Sequence, residues 1–207
     1  ETQNLLPEYI GQLSSDVPLA RMLKVVVDGG NGLVGQAAAM LLRTLGCDVV
    51  ELNCELIPAA ALKADPTRPE ILVPLARRVR EEQADLGLAY DADGDRLGVV
   101  DSSGEIIWAD ALLMLFAADI LARQPGVDIV YDVECSRHLA PDIVQRGGRP
   151  VQSATGWMAL RTKLAEGGAL LAGGISGHIF FKERWYGFAD ALYASARLLE
   201  LISMDMR

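Results

Sequence analysis

Residues 90–101, YDADGDRLGVVD, set Asp91, Asp93 and Asp95 at alternate positions, with Gly94 between the last two and Arg96 directly behind. At ~6 Å separation and an effective dielectric near 20, each like-charged pair costs roughly 2–3 kcal/mol. Such a cluster requires a cation or open water. Apolar segments of strand length, ADLGLAY and LGVVD, flank it, so the acids sit on a tight turn between two strands. Alternate carboxylates on that turn converge, and hard oxygens suit Mg²⁺ or Ca²⁺. A calcium loop counted from Asp91 needs Gly sixth and Glu twelfth, where Arg96 and Ser102 stand. Mg²⁺, completed by water and a phosphate oxygen, is the expected ion. A solvated Asp-rich turn is the alternative.

The elements that must carry this turn follow a regular order. Residues 5–23 read as a connecting helix and linker, and 24–52 as strand, glycine turn, helix and strand, a βαβ unit. A Pro-rich loop (58–70) and an amphipathic helix lead to the acidic turn. From Gly104 the alternation recurs: an apolar helix over 110–123, a strand, a helix bent by Pro141, another strand and helix, a pair of strands around ISGH, and a closing helix to Asp205. The expectation is an α/β protein of two successive three-layer α/β/α domains with mixed sheets: 1–103, with 1–22 as linker helix, and 104–207.

Composition narrows the partners. The 207 residues are 51% hydrophobic and 23% charged, with net charge −9, which argues against nucleic acid or an anionic membrane. Asp110 and Asp119 interrupt the longest apolar run before it reaches the ~18 residues of a membrane span. No basic n-region and apolar h-region open the sequence. Cys47, Cys54 and Cys135 form no CxxC pair and read as reduced thiols in a cytoplasmic protein.

GNGLVG (30–35) matches G-x-G-x-x-G between a strand and a helix, with Glu51 about 20 residues on. Asp28 at the strand's end would repel a pyrophosphate, so the glycines read as structural. A dinucleotide-binding oxidoreductase remains the rival.

Three segments in order, VVVDGGNGLVG, DADGDR and GGISGHIFFKERWYGFADALYASARLLELIS, resemble the α-D-phosphohexomutases, nearest to the bacterial phosphomannomutase/phosphoglucomutase group. The resemblance implies the second and third of four domains around one cleft. It assigns Asp91, Asp93 and Asp95 to Mg²⁺, Arg96 to the active centre, and Gly174, Ser176 and His178 to the sugar-facing loop, with His178 as a candidate general base. The implied chemistry is phosphoryl transfer between C1 and C6 hydroxyls of mannose or glucose phosphates, through a phosphoserine on a flanking domain. This sequence holds neither the phosphoserine loop nor the family's phosphate-gripping loop, so the chain alone is expected to be inactive.

Departures cluster in the same cleft. Where the family has G-E-M-S-G-H, this chain has Gly174 and Ile175; where it has K-T-G-H, Ala154 and Trp157; where it has G-F-D-D, Ala189; and the His-rich P-N-H-H-P-D-P loop has become PAAALKADPTRP. A non-catalytic phosphosugar-binding or scaffold pair is therefore the alternative function. His138 is expected at the surface, Lys182, Glu183 and Arg184 at a phosphosugar rim or a solvated strand edge, and Trp185, Tyr186 and Phe188 in packing.

Overall fold

The computed structural model describes residues 4–61 and 63–204. Two mixed sheets organise them. In the first, β1 (Lys24–Asp28) is flanked in parallel by β2 (Asp48–Leu52) and β3 (Leu86–Tyr90), and antiparallel β4 (Leu97–Asp101) and β5 (Ile106–Ile107) complete the order β2-β1-β3-β4-β5. In the second, β6 (Asp128–Asp132) pairs in parallel with β7 (Arg149–Ser153) and β8 (Leu171–Gly173), and antiparallel β9 (Ile179–Phe181) closes the order β7-β6-β8-β9. The central strands β1 and β3 are apolar and buried on both faces, as parallel strands between helices must be. The first sheet runs past residue 103, because Ile106 and Ile107 hydrogen-bond β4.

Helices cover both faces of each sheet. On the outer face of the first, α4 (Pro69–Glu82) packs Leu72, Leu75 and Val79 against Val26 and Val100. On the outer face of the second, α7 (Trp157–Glu166) packs Leu160 and Leu164 against Val130 and Phe180. The inner faces share a single core with α1 (Leu6–Asp16), α2 (Val34–Thr44), α5 (Ala109–Arg123), α6 (Leu139–Gln145) and α8 (Ala191–Met204) between them. The short α3 (Pro58–Ala61) lies in what the sequence gives as a loop. Pro141 does not bend α6: that helix begins at Leu139, so the proline sits in the first turn, where its missing N–H is not needed.

Helix α8 is the shared wall. All of residues 191–200 are buried, because the helix touches β4 of one sheet and β9 of the other. Its expected extension to Asp205 lies outside the described residues. α1 is equally integral: Ile10 and Leu13 are buried in the common core, so the segment expected to link is part of the packing. No described helix is long and apolar enough to cross a membrane.

Candidate functional site

In open α/β sheets ligands bind beyond the carboxyl ends of strands where the strand order reverses. That point lies between β1 and β3 in the first sheet and between β6 and β8 in the second. Each of β1, β3 and β6 runs directly into, or ends on, a buried aspartate that ties down the following loop. Asp28 Oδ1 accepts the Gly30 N–H (3.0 Å), and Asp91 Oδ1 accepts those of Asp95 (2.9 Å) and Arg96 (3.0 Å). Asp132 accepts Glu134 N–H on one oxygen (3.0 Å) and Ile175 N–H on the other (3.1 Å). The repeated sequence signal, an apolar strand followed by Asp, also marks Asp132, which sequence reasoning passed over.

Asp91 is thus buried and folds the turn, while Asp93 and Asp95 are exposed on it. Burial, and then the neighbouring Asp93 charge, push the Asp91 carboxyl up to about 6. Burial and the charges of Asp93 and Asp190 also raise Asp95. Among the described residues no three metal-ligating side chains are gathered into a finished cage. The donors are nevertheless hard oxygens under mutual repulsion, which a divalent cation relieves, so the residues present fit Mg²⁺. Arg96 Nε is buried and ion-pairs with Asp91 Oδ2 at 3.5 Å without a hydrogen bond, and its Nη1 lies 3.5 Å from Asp65 Oδ1.

The glycine-rich loop 29–33 does not form an open phosphate cradle. Leu33 N–H donates to Ala92 O (3.0 Å), and Gly32 lies against the Ala92 backbone, so the loop is the bed of the acidic turn.

Ser176 and His178 follow β8. Ser176 Oγ lies 2.9 Å from His178 Nδ1. Burial, and then the Arg96 charge, lower the imidazole to about 4, so it is neutral at pH 7 and a weak base. Gly174 is buried, its carbonyl accepts the Gly177 N–H (3.2 Å), and a side chain built there would land on the Asp132 carboxylate.

The two loops meet. Arg96 and His178 form an antiparallel bridge, and Leu97 N–H donates to Gly177 O (3.1 Å), joining the turn of one sheet to the loop of the other. Gly177 has φ +82°, and a Cβ there would stand 3.3 Å from Leu97 O. Gly177→Ala is therefore expected to cost about 1–2 kcal/mol in urea unfolding; a loss under ~0.5 kcal/mol would contradict the tightness of this joint.

The comparisons with known proteins agree with this arrangement. Family models described as phosphoglucomutase/phosphomannomutase α/β/α domain II and domain III match residues 7–104 and 108–207. This chain belongs to the phosphoglucomutase/phosphomannomutase family. It is 50% identical over 210 residues to a phosphomannomutase/phosphoglucomutase of Pseudomonas aeruginosa, covering 100% of this chain and 45% of that protein. A phosphoglucomutase of Neisseria meningitidis is 44% identical over 197 residues, covering 95% of this chain and 43% of the relative. A crystal structure of a family protein from Burkholderia thailandensis superposes with TM-score 0.95 at 44% identity, covering 99% of this chain and 45% of that one. The chain spans less than half the length of these relatives.

Set against the family pattern, Trp157 is 46% exposed at the start of α7, and Ala154 beside it is exposed. His138 is at the surface as expected. In the segment 182–184 Lys182 and Arg184 are exposed, whereas Glu183 is buried, accepting from Arg123 and Arg197; Arg184 reaches Glu200 and Asp16. Trp185 packs, stacked on Tyr193 at 4.3 Å, whereas Tyr186 and Phe188 stay largely exposed.

Proposed function

We propose that this chain supplies the cation turn and the sugar-recognition loop of a phosphohexomutase that moves a phosphoryl group between the C1 and C6 hydroxyls of mannose or glucose phosphates. The main-chain joint between residues 96–97 and 177–178 carries this proposal, because it brings an acidic turn, an arginine and a Ser–His pair to one place. Asp91, Asp93 and Asp95 would hold Mg²⁺, which when bound neutralises phosphate charge. Arg96 binds a phosphate oxygen. Ser176 and neutral His178 hydrogen-bond the sugar hydroxyls and orient them; with its imidazole near 4, His178 acts more in positioning than in taking a proton. The phosphoserine comes from a flanking domain, the 207 residues alone do not turn over, and the protein works in the cytoplasm.

A second reading, a non-catalytic phosphosugar-binding or scaffold pair, is favoured by one observation: the Asp132 carboxylate fills the space that a side chain at Gly174 needs. Calorimetry of the chain with glucose 1-phosphate and mannose 1-phosphate, with and without Mg²⁺, tests the site. Mg²⁺-dependent binding without turnover in a coupled mutase assay is the expected result. Turnover by the chain alone overturns the need for a flanking phosphoserine, and absence of binding to both sugars supports the scaffold reading.

The cation assignment has its own test. Asp93→Ala removes the charge that opposes Asp91, so it is expected to raise the metal-free unfolding midpoint by about 2 °C and to abolish the further rise on adding Mg²⁺. A midpoint unmoved in both conditions would identify a turn that is merely hydrated.

A further inference from the structure

We propose that Tyr9 and Asp190 form a positioning pair through which helix α1 holds the turn 91–96 in the shape that receives a cation. This rests on the reading of that turn as a cation site. Asp190 is 5% exposed and caps α8: its Oδ1 accepts the Tyr193 N–H (2.9 Å) and its Oδ2 the Trp185 Nε1–H (3.0 Å). The Tyr9 hydroxyl lies 2.8 and 2.9 Å from the two oxygens and donates to the carboxylate. One residue further on, Ala191 N–H donates to Gly94 O (2.9 Å) in the middle of the acidic turn.

The even-numbered carbonyls of the turn are thereby gripped by the starts of two helices. Ala92 O is held by Leu33 N–H ahead of α2, and Gly94 O by Ala191 N–H at the head of α8. The amino ends of both helices thus meet the peptide units that lead into Asp93 and Asp95. The α2 grip lies within one sheet's own unit. The α8 grip depends on Asp190, and Asp190 depends on α1.

Helix α1 docks on the same wall at both ends, and of these contacts only the Tyr9 hydroxyl reaches Asp190. The Tyr9 ring stands edge-on to Trp185, with centroids 6.3 Å apart. Asp16 accepts from the Tyr193 hydroxyl (2.8 Å) and from Arg184 Nε (3.2 Å), and Gln12 bonds Tyr186.

Tyr9→Phe keeps the ring against Trp185 and deletes only the donor to Asp190. Tyr193→Phe serves as a control: it deletes another hydroxyl of the same network, one bonded to Asp16 and Arg197 rather than to Asp190. In the metal-free 207-residue chain, Tyr9→Phe is expected to speed amide hydrogen exchange about tenfold at Asp95, Arg96 and Ala191 while leaving the β6–β7 amides unchanged. Calorimetry with Mn²⁺ as the probe is expected to show about three- to fivefold weaker binding. Tyr193→Phe is expected to lower the melting temperature and alter neither readout. Unchanged exchange at those three amides, or the same changes in Tyr193→Phe, overturns the pair as a positioning device. Accelerated exchange in a chain whose native form binds no Mn²⁺ upholds the pair and overturns the cation reading of the turn.

Discussion

Replacing Arg197 by methionine is expected to destabilise the protein by about 3–5 kcal/mol, the usual cost of removing one partner from a buried ion cluster. Arg197 is 1% exposed in the centre of α8. Its guanidinium reaches Glu183 (2.9 Å), Asp119 (2.9 Å) and Glu200 (3.0 Å), and lies over the Phe181 ring at 5.0 Å. Methionine fills much of the volume but leaves Glu183 and Glu200, both buried, with fewer counter-charges. Arg123 still reaches Asp119 and Glu183, and Arg184 still reaches Glu200, which places the loss toward the lower end of the range. For a chain of this length the midpoint should fall by about 6–12 °C. Arg197→Lys keeps the charge without the planar fork and should lose roughly half as much. Thermal and urea unfolding measure both variants. A loss below ~1 kcal/mol for the methionine variant would mean that the neighbouring arginines compensate.

Gly32→Val should be nearly as damaging, in the absence of any nucleotide. A Cβ at residue 32 would stand 2.5 Å from Ala92 Cα and from Ala92 O, which are backbone atoms that cannot rotate away. The glycine loop and the acidic turn would have to part, losing the Leu33 N–H to Ala92 O bond. Overpacking of this kind costs about 1–3 kcal/mol and more where backbone is displaced. We expect a loss of roughly 3 kcal/mol in urea unfolding together with loss of the Mg²⁺-induced rise in melting temperature. The variant also separates two explanations of the G-x-G-x-x-G pattern. If the glycines cradle a dinucleotide, valine should weaken NAD binding and leave the apo stability near that of the native chain. If they bed the turn, the native chain shows no response to NAD, and the variant is destabilised without it.

Much of the fold was legible because its signals are local. VVV at 25–27 and LGLA at 86–89 are runs that only a strand buried on both faces tolerates, and the structure has β1 and β3 there. The acidic turn was legible for a related reason: three carboxylates in five residues carry an electrostatic cost that needs an explanation wherever the chain goes. The burial of Glu183 was not. KER in a short strand reads as surface, yet Glu183 and Arg197 satisfy each other in the interior across 14 residues of sequence, and burial of a charge is decided by its partner.

The same distinction separates what each level decided. The sequence alone determined two α/β repeats and the position of the carboxylate turn, because these follow from residue type and short-range periodicity. Only the tertiary structure decided that the two sheets share one core, that α1 is part of it, and that Arg96 pairs with His178 across the boundary. Those facts depend on contacts between residues some 80 to 180 positions apart, such as Arg96 with His178 and Tyr9 with Asp190. No local pattern encodes them, since they exist only once both sheets have packed against the buried helix α8.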